Sequence, residues 1–117
     1  MRVRTTASAV ILELSGELDI ATSPPILDAL TTELTNDATK TVVFDLRDVT
    51  FMDSSAIKSI IYAQNRMRVR SGNVIVCNAQ PHVAKVIRIL GLDHEVEVLD
   101  ATDPLPPFLD PDTALTA

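Results

Sequence analysis

The stretch Thr41–Ala56, TVVFDLRDVTFMDSSA, decides the fold of this chain. Its first part, Thr41–Leu46, is nearly continuously apolar, which is typical of a strand covered on both faces. Asp53 and the two serines after it are residue types whose side-chain oxygens accept hydrogen bonds from the free amides of a first helical turn. The stretch therefore predicts a buried strand that leads directly into a helix.

The helix predicted after Ser55 has an apolar face. Its apolar residues recur at helical spacing and include Ile57, Ile60, Ile61 and Met67. Basic residues stand in its last turns, where they complement the negative end of the helix dipole. Gly72 is predicted to end this helix.

Two strands and one helix are predicted before this stretch. Val3–Thr6 is an edge strand, and Val10–Leu14 is a second strand that ends near Gly16. The three residues between these strands are short enough for a hairpin turn. The helix starts with Ser23 as its N-cap and Pro24 at its first position, where a missing amide costs nothing.

A strand, a helix and a last strand are predicted after the helix that Gly72 ends. Asn73–Cys77 is a strand, Pro81 opens a helix that ends at Gly91, and Val96–Leu99 is the last strand. The order is therefore β-β-α-β-α-β-α-β, an α/β fold with one mixed, mostly parallel sheet covered by helices.

The last residues differ in composition from the rest. Four of the seven prolines lie in residues 103–117. We expect one domain over residues 1–102 and a Pro-rich C-terminal tail over residues 103–117 that is either flexible or docked. Leu105, Phe108 and Leu109 are the side chains with which the tail would dock on the domain.

Composition narrows the function classes. The chain has 117 residues, 46% hydrophobic and 3% aromatic, which fits one domain with an aliphatic core. Its net charge of −6 argues against binding nucleic acid. Cys77, the single cysteine, is predicted to be a small buried apolar residue, and no disulfide, metal site or cofactor is predicted. No apolar stretch approaches the ~20 residues that span a bilayer, so we expect a cytoplasmic protein without membrane contact.

Asp53 and Ser54 have two interpretations. In the first, either residue is only a helix cap. In the second, Ser54 is exposed at the positive end of the helix dipole and accepts a phosphoryl group, which adds about −1.5 to −2 charges. The dipole offsets typically about 0.3–1 kcal/mol of the cost of such a charge at an exposed site. The fold would then survive the modification, whereas a partner surface packed over the serine would not.

Three segments resemble bacterial STAS domains, in the order in which that family has them. Gly16–Asp19 followed by Ala21–Pro24 resembles the family's G-x-L-D and A/T-x-x-P segment. Val43–Ala56 resembles its D-L-x-x-V-x-F-x-D-S-S/T-G core, and Ile89–Leu92 resembles its L-x-G-L. The resemblance runs from about residue 2 to residue 100 and implies a single STAS-type domain.

The resemblance implies an anti-sigma-factor antagonist. Such a protein, while unphosphorylated, binds an anti-sigma factor and releases a sigma factor. The anti-sigma factor is also a serine kinase that inactivates the antagonist with ATP, and a separate phosphatase resets it. The family's phosphorylated serine maps onto Ser54, with Ser55 as a secondary candidate. We expect a monomer or weak dimer whose partner-binding residues are Asp19, Asp53, Ser54, Ser55, Ala56 and Ile57.

Ala56 is a departure from the family, which usually has glycine there. Alanine is the better helix former, but its methyl group stands where a partner's backbone would approach. Lys58 and Ser59 also replace small residues and bear on partner choice. Asp19 has a second interpretation as a turn or cap residue.

Two other functions stay open. The first is a STAS scaffold subunit, without a phosphorylation cycle, of a lipid-transport or stress-sensing complex. An exposed apolar patch around Met52, Ile57 and Ile61 would fit this scaffold or the antagonist. The second is an enzyme, because carboxylates stand at predicted strand ends, where open α/β sheets bind ligands: Asp19, Asp45, Asp48 and Asp53. The chain has no P-loop and no G-x-S-x-G motif, and His82 and His94 are predicted at the surface, so we expect no enzyme activity.

Overall fold

The computed structural model describes residues 1–100, so the tail predicted for residues 103–117 lies outside the described residues. The elements follow the predicted order, with one short 3₁₀ turn added before the last strand. They are β1 Arg2–Thr5, β2 Ala9–Leu18, α1 Pro24–Glu33, β3 Thr41–Met52, α2 Ser54–Val69, β4 Asn73–Ala79, α3 Pro81–Ile89, the 3₁₀ turn Leu92–His94 and β5 Glu97–Asp100.

The five strands form one sheet whose spatial order, β1-β2-β3-β4-β5, is their order in the sequence. β1 runs antiparallel to β2 through the predicted hairpin, and the other three pairs are parallel. Leu12, Phe44 and Val76 are register partners across β2, β3 and β4. Each parallel pair needs a crossover, and α1, α2 and α3 supply one each. The predicted mixed, mostly parallel α/β sheet is confirmed.

All three helices pack on the same face of the sheet. One core cluster joins alternate strand residues to buried residues of each helix, including Leu12, Phe44, Val76, Ile26, Leu30, Ile60, Met67, Val83 and Ile87. A right-handed crossover between each strand and its next neighbour places successive helices on the same side. This core is aliphatic around Phe44, as the composition predicts.

The opposite face, called the outer face here, carries a second and smaller apolar cluster. Ile11, Val43, Ile75 and Cys77 form it, because successive side chains of a strand point to opposite faces. Cys77 is 2% exposed, as predicted for a small buried apolar residue. Burial, and then the negative charge of Asp45, raise the pKa of the Cys77 thiol to about 12.

β2 and β3 are longer than predicted. β2 does not end near Gly16 but continues to Leu18, and β3 continues past Leu46 to Met52. The pairing of the two strands shifts register twice, between Glu13 and Ser15 and again beside Gly16, which has φ of +76°. These bulges let the pairing continue where the residues turn polar.

Gly72 does not cap α2, in contrast to the prediction. α2 ends at Val69, and Ser71, with φ of 56°, takes the left-handed conformation. A Cβ atom at position 72 would lie 2.3 Å from the carbonyl oxygen of Lys40, so glycine is needed there for close backbone approach. Gly91 does have the predicted left-handed conformation, with φ of +75°. None of the helices within residues 1–100 is long and apolar enough to cross a membrane.

Candidate functional site

The junction between β3 and α2 has the predicted helix cap. Asp53 is extended, with φ of −110° and ψ of −173°, and its Oδ1 accepts a 2.8 Å hydrogen bond from the amide of Ser55. The Asp53 carbonyl accepts a 3.3 Å bond from the amide of Ile57, which closes the first helical turn. The Asp53 side chain therefore satisfies one of the free amides at the start of α2.

The end of β2 is held against this junction. Leu18 and Met52 are register partners, and the amide of Asp53 donates a 3.0 Å hydrogen bond to the carbonyl of Leu18. Asp19, the next residue after Leu18, is thereby placed beside the start of α2. The fold brings together the two acidic residues that the resemblance assigned to one site, although they are 34 positions apart (53 − 19).

Asp19 orders its own loop. Its Oδ1 accepts hydrogen bonds from the amides of Ala21, at 2.9 Å, and Thr22, at 3.0 Å. The Asp19 amide donates to Oγ1 of Thr22 at 2.9 Å, and that hydroxyl donates to the carbonyl of Glu17 at 2.8 Å. This is the turn role that aspartate often has, and it leaves Oδ2 without a partner among the described residues. The turn role and a partner contact through Oδ2 are thus compatible.

Ser54 occupies the first helical position and is exposed. Within residues 1–100 its hydroxyl makes no hydrogen bond, and the amides of Ser54 and Ala56 have no acceptor there either. Free amides and the positive end of the helix dipole surround this hydroxyl. The position therefore offers a reachable oxygen in surroundings that favour a negative charge.

Ser55, Ala56 and Ile57 are all less accessible than Ser54. Ser55 is half-buried, whereas Ala56 is 2% exposed and Ile57 is 5% exposed, both within the helix-side core. The expected exposed patch around Met52 and Ile57 is wrong, because each is only 5% exposed. Since β3 passes directly into α2, both side chains point under the helix and into the core.

Two exposed apolar side chains near the junction were not predicted. Ile20, 78% exposed, follows Asp19, and Phe51, 49% exposed, lies two residues before Asp53. Ile61, one turn beyond Ile57 on α2, is 38% exposed. Apolar residues follow both positions in the sequence, with Met52 directly after Phe51 and Ala21 directly after Ile20, so no local pattern marked these two side chains as exposed.

The other predicted polar residues do not join this site. Asp45 lies within β3 rather than at its end, and its Oδ1 accepts a 3.2 Å hydrogen bond from Nδ2 of Asn78. Exposed His82 lies 2.7 Å, through Nε2, from the carbonyl of Thr50. No group of acidic, histidine or cysteine side chains in the described part of the chain is arranged to hold a metal ion.

A shallow cleft of about 360 Å³ lies between α1 and β2. Leu14, Leu18, Pro25 and Ile26 supply most of its apolar lining, and no ionisable side chain borders it among the described residues.

Comparison with known proteins identifies one family. The family model of the STAS domain matches residues 1–105. The anti-sigma F factor antagonist of Lysinibacillus sphaericus is 26% identical over 98 residues, which cover 84% of this chain and 82% of the relative. The anti-sigma F factor antagonist of Paenibacillus polymyxa is 29% identical over 97 residues, which cover 77% of this chain and 83% of the relative.

Solved structures of the anti-sigma factor antagonist SpoIIAA have the same fold. Its unphosphorylated form matches with a TM-score of 0.71 and 24% identity, over 86% of this chain and 88% of SpoIIAA. The phosphorylated form of the Bacillus protein matches with a TM-score of 0.70 and 26% identity, over 87% of this chain and 91% of SpoIIAA. The same protein is thus known in both phosphorylation states.

Proposed function

This chain belongs to the STAS domain family, and from that premise we propose that it is an anti-sigma-factor antagonist that phosphorylation of Ser54 switches off. In its unphosphorylated form it binds an anti-sigma factor and thereby releases a sigma factor. The curated relatives named anti-sigma F factor antagonist, and SpoIIAA in its two forms, support this function. The observation that carries the proposal is the exposed Ser54 hydroxyl at the start of α2.

The partner in this proposal is an anti-sigma factor that is also a serine kinase. The Ser54 hydroxyl attacks the γ-phosphorus of ATP bound to the kinase. The bond from Oγ to phosphorus forms, the bond to the β-phosphate oxygen breaks, ADP leaves, and the hydroxyl proton passes to a base of the kinase. This chain supplies only the acceptor oxygen, and a separate phosphatase removes the phosphate by hydrolysis.

The charges around Ser54 explain why a phosphate would end binding. Asp19 and Asp53 already make the junction acidic, so the unmodified surface suits a basic partner surface. A phosphate dianion beside these carboxylates increases the cost of removing water from the interface. Exposed Lys58, one turn along α2, is placed to pair with the phosphate and hold it at the surface.

Ala56 departs from the family, but its burial is compatible with the proposed function. Its methyl group packs within the helix-side core and is 2% exposed. It therefore adds no surface that a docking kinase would meet. We infer that the contact residues are Asp19, Asp53, Ser54 and half-buried Ser55, while Ala56 and Ile57 position the helix beneath them.

Intact-mass analysis tests the proposal. The chain is incubated with ATP, Mg²⁺ and candidate anti-sigma kinases from the same genome, together with Ser54→Ala and the matched control Ser55→Ala. We expect one added phosphate on the original chain and on Ser55→Ala, none on Ser54→Ala, and loss of kinase binding by the phosphorylated chain. Kinase binding without phosphate transfer, or transfer to Ser55 alone, would contradict the assignment of Ser54. Neither binding nor transfer, in a folded chain, would support the scaffold function instead.

A further inference from the structure

Ile20 presents an exposed apolar side chain from an ordered turn. The side chain is 78% exposed. The residues around it are tied together, because Oδ1 of Asp19 accepts hydrogen bonds from the amides of Ala21, at 2.9 Å, and Thr22, at 3.0 Å. The amide of Ser23 donates a further 2.9 Å bond to the carbonyl of Asp19. The backbone at Ile20 is therefore fixed before any partner arrives.

This order lowers the cost of binding through the Ile20 side chain. Association normally loses free energy when loops and side chains become ordered at the interface. At Ile20 the turn is already ordered, and a side chain branched at Cβ has few rotamers to lose. Burial of this side chain against a partner then contributes nearly all of the free energy gained by removing its apolar surface from water.

Phe51 is a second exposed apolar side chain at the same edge of the sheet, with 49% of it exposed. It is the register partner of Glu17, one residue before β2 ends at Leu18, and Ile20 follows two residues after that end. Both side chains therefore lie at the carboxyl edge of β2 and β3. Exposed apolar side chains that are scattered singly are ordinary, but these two share the edge that also presents Ser54.

Both side chains lie close enough to Ser54 to belong to one interface with it. Phe51 is three residues before Ser54, so their Cα atoms are at most about 11 Å apart. Ile20 is linked to Ser54 through the hydrogen bond from the Asp53 amide to the Leu18 carbonyl, a path of at most about 18 Å between Cα atoms. An interface of standard size covers about 800 Å² of each partner, a patch about 32 Å across.

The charges beside these side chains define the partner surface that they fit. Glu17 is exposed, and Asp19 and Asp53 are half-buried, all three at the same edge. Interfaces combine an apolar centre with a polar rim, and their charges are complementary across the contact. The matching surface therefore has an apolar pocket for Ile20 and Phe51 and basic side chains around that pocket.

We propose that Ile20 and Phe51 are the apolar anchors with which this chain binds its anti-sigma factor, in an apolar pocket bordered by basic side chains. This inference rests on the proposed function and adds the residues that set the affinity. The carboxylates and the phosphorylation state of Ser54 then control the electrostatic part of binding. Ile20 also stands between Gly16–Asp19 and Ala21–Pro24, so it can set partner choice without altering either motif segment.

Binding of the unphosphorylated chain to the anti-sigma kinase that phosphorylates it is measured by calorimetry. Ile20→Ala and Phe51→Ala are compared with the original chain and with the matched control Val69→Ala. Val69 is 89% exposed and lies about 22 Å from Ser54 along α2. We expect each of the first two variants to raise Kd about 10- to 50-fold, because each loses several buried CH₂-sized groups from the interface. We expect Val69→Ala to stay within about twofold of the original chain.

A Kd within threefold of the original for either anchor variant, folded by circular dichroism, would overturn the proposal. Equal weakening by Val69→Ala would overturn it as well. If an alanine variant unfolds, Ile20→Gln or Phe51→Gln takes its place, with the same expected increase in Kd.

The salt dependence of Kd separates the anchors from the charged groups. Attraction between charges is screened by salt, whereas an apolar contact is not. We expect Ile20→Ala to raise Kd while its dependence on salt concentration stays that of the original chain. Asp19→Asn keeps an acceptor oxygen for the turn but removes the charge, so its dependence on salt should be weaker. If Ile20→Ala weakens the salt dependence as much as Asp19→Asn does, the substitution acts through the Asp19 turn and the anchor role is wrong.

The kinase reaction distinguishes failure of this inference from failure of the proposed function. Ile20→Ala retains Ser54, so we expect it to be phosphorylated with a raised KM and an unchanged kcat, as for loss of a contact made equally in the ground and transition states. An unchanged KM would overturn the anchor role and leave the phosphorylation of Ser54 intact. Neither binding nor phosphorylation of the original chain by any candidate kinase would overturn both proposals.

Discussion

The backbone amide of Asp53 donates a 3.0 Å hydrogen bond to the carbonyl of Leu18. This bond ties the cap residue of α2 to the last residue of β2 and therefore to the sheet. The position of Ser54 is consequently set by paired strands rather than by a free loop. In the proposed function, a partner would therefore meet the hydroxyl in one fixed place, and a change of charge there would alter the surface without moving the scaffold.

Ser54→Asp should leave the domain folded and abolish partner binding. The new carboxylate lies in the first turn of α2, where the helix dipole stabilises an anion by typically about 0.3–1 kcal/mol. We expect the free energy of unfolding, measured with urea, to be unchanged or raised within that range. Ser54→Asn is the matched control because it has nearly the same shape without the charge, and it should retain more of the binding to the anti-sigma factor. Unfolding of Ser54→Asp would show that the start of α2 does not tolerate an anion.

Asp53→Ala should lower stability through loss of the cap. The Ser55 amide would lose its 2.8 Å bond to the carboxylate, and such caps contribute about 0.5–2 kcal/mol. Asp53→Asn keeps an acceptor oxygen, so its free energy of unfolding should fall less than that of Asp53→Ala. If Asp53→Asn is as stable as the original chain and yet binds the partner more weakly, the carboxylate also contacts the partner. Equal partner binding by Asp53→Asn and by the original chain would indicate that Asp53 has only a structural role.

Arg70→Ala should be among the more destabilising changes outside the core. Its guanidinium donates to the carbonyls of Leu34 and Asn36, and its side chain is only 13% exposed. Loss of a charged donor that leaves carbonyls unpaired costs about 1.5–3 kcal/mol. Arg68→Ala, at an exposed position two residues earlier, should stay within about 0.5 kcal/mol. Equal urea midpoints for the two variants would show that Arg70 does not anchor the loop after α1.

Cys77 should make stability fall at alkaline pH. Its thiol pKa rises from 9.0 to about 12 on folding. Below the pKa of the thiol in the unfolded chain, the thiol is protonated in both the folded and the unfolded state. Its contribution to the free energy of unfolding is then fully present. Between the two pKa values the thiol ionises only in the unfolded chain, which stabilises the unfolded state. The contribution of Cys77 to the free energy of unfolding is therefore lost as the pH rises, by up to about 1.4 kcal/mol per pH unit.

Comparison with Cys77→Ala isolates this effect, because both chains share every other titrating group. We expect the difference in the free energy of unfolding between the two chains to be constant up to about pH 8.5 and then to shrink. A constant difference up to about pH 10.5 would mean that the thiol ionises equally in both states.

The order of elements could be predicted because apolar runs and cap residues mark them locally. Thr41–Leu46 and Asn73–Cys77 are unambiguous strands, and Asp53 and Pro81 mark helix starts that the structure confirms. The ends of β2 and β3 were missed because polar residues continue both strands. That continuation depends on pairing between β2 and β3, which no local pattern specifies.

The motif indicates a candidate site in the sequence, but the accessibility of the residues around Ser54 could not be predicted from it. The motif indicated Ser54, and the structure places its hydroxyl at the surface. Ile57 has the same apolar character as Ile61, so the sequence did not distinguish the buried from the exposed one. The proximity of Asp19 to Asp53 depends on the bond between Leu18 and Asp53, which is a contact distant in sequence.

The agreement between spatial and sequential strand order has a consequence for biosynthesis. Each strand pairs with the one made immediately before it, so no strand has to be inserted between two that are already joined. A chain emerging from the ribosome can therefore extend its sheet from one edge, one crossover at a time, with modest loop-closure entropy at each step. The growing edge is open at every step, and in the finished sheet β1 and β5 are the edge strands, each only four residues long, which limits pairing with other chains.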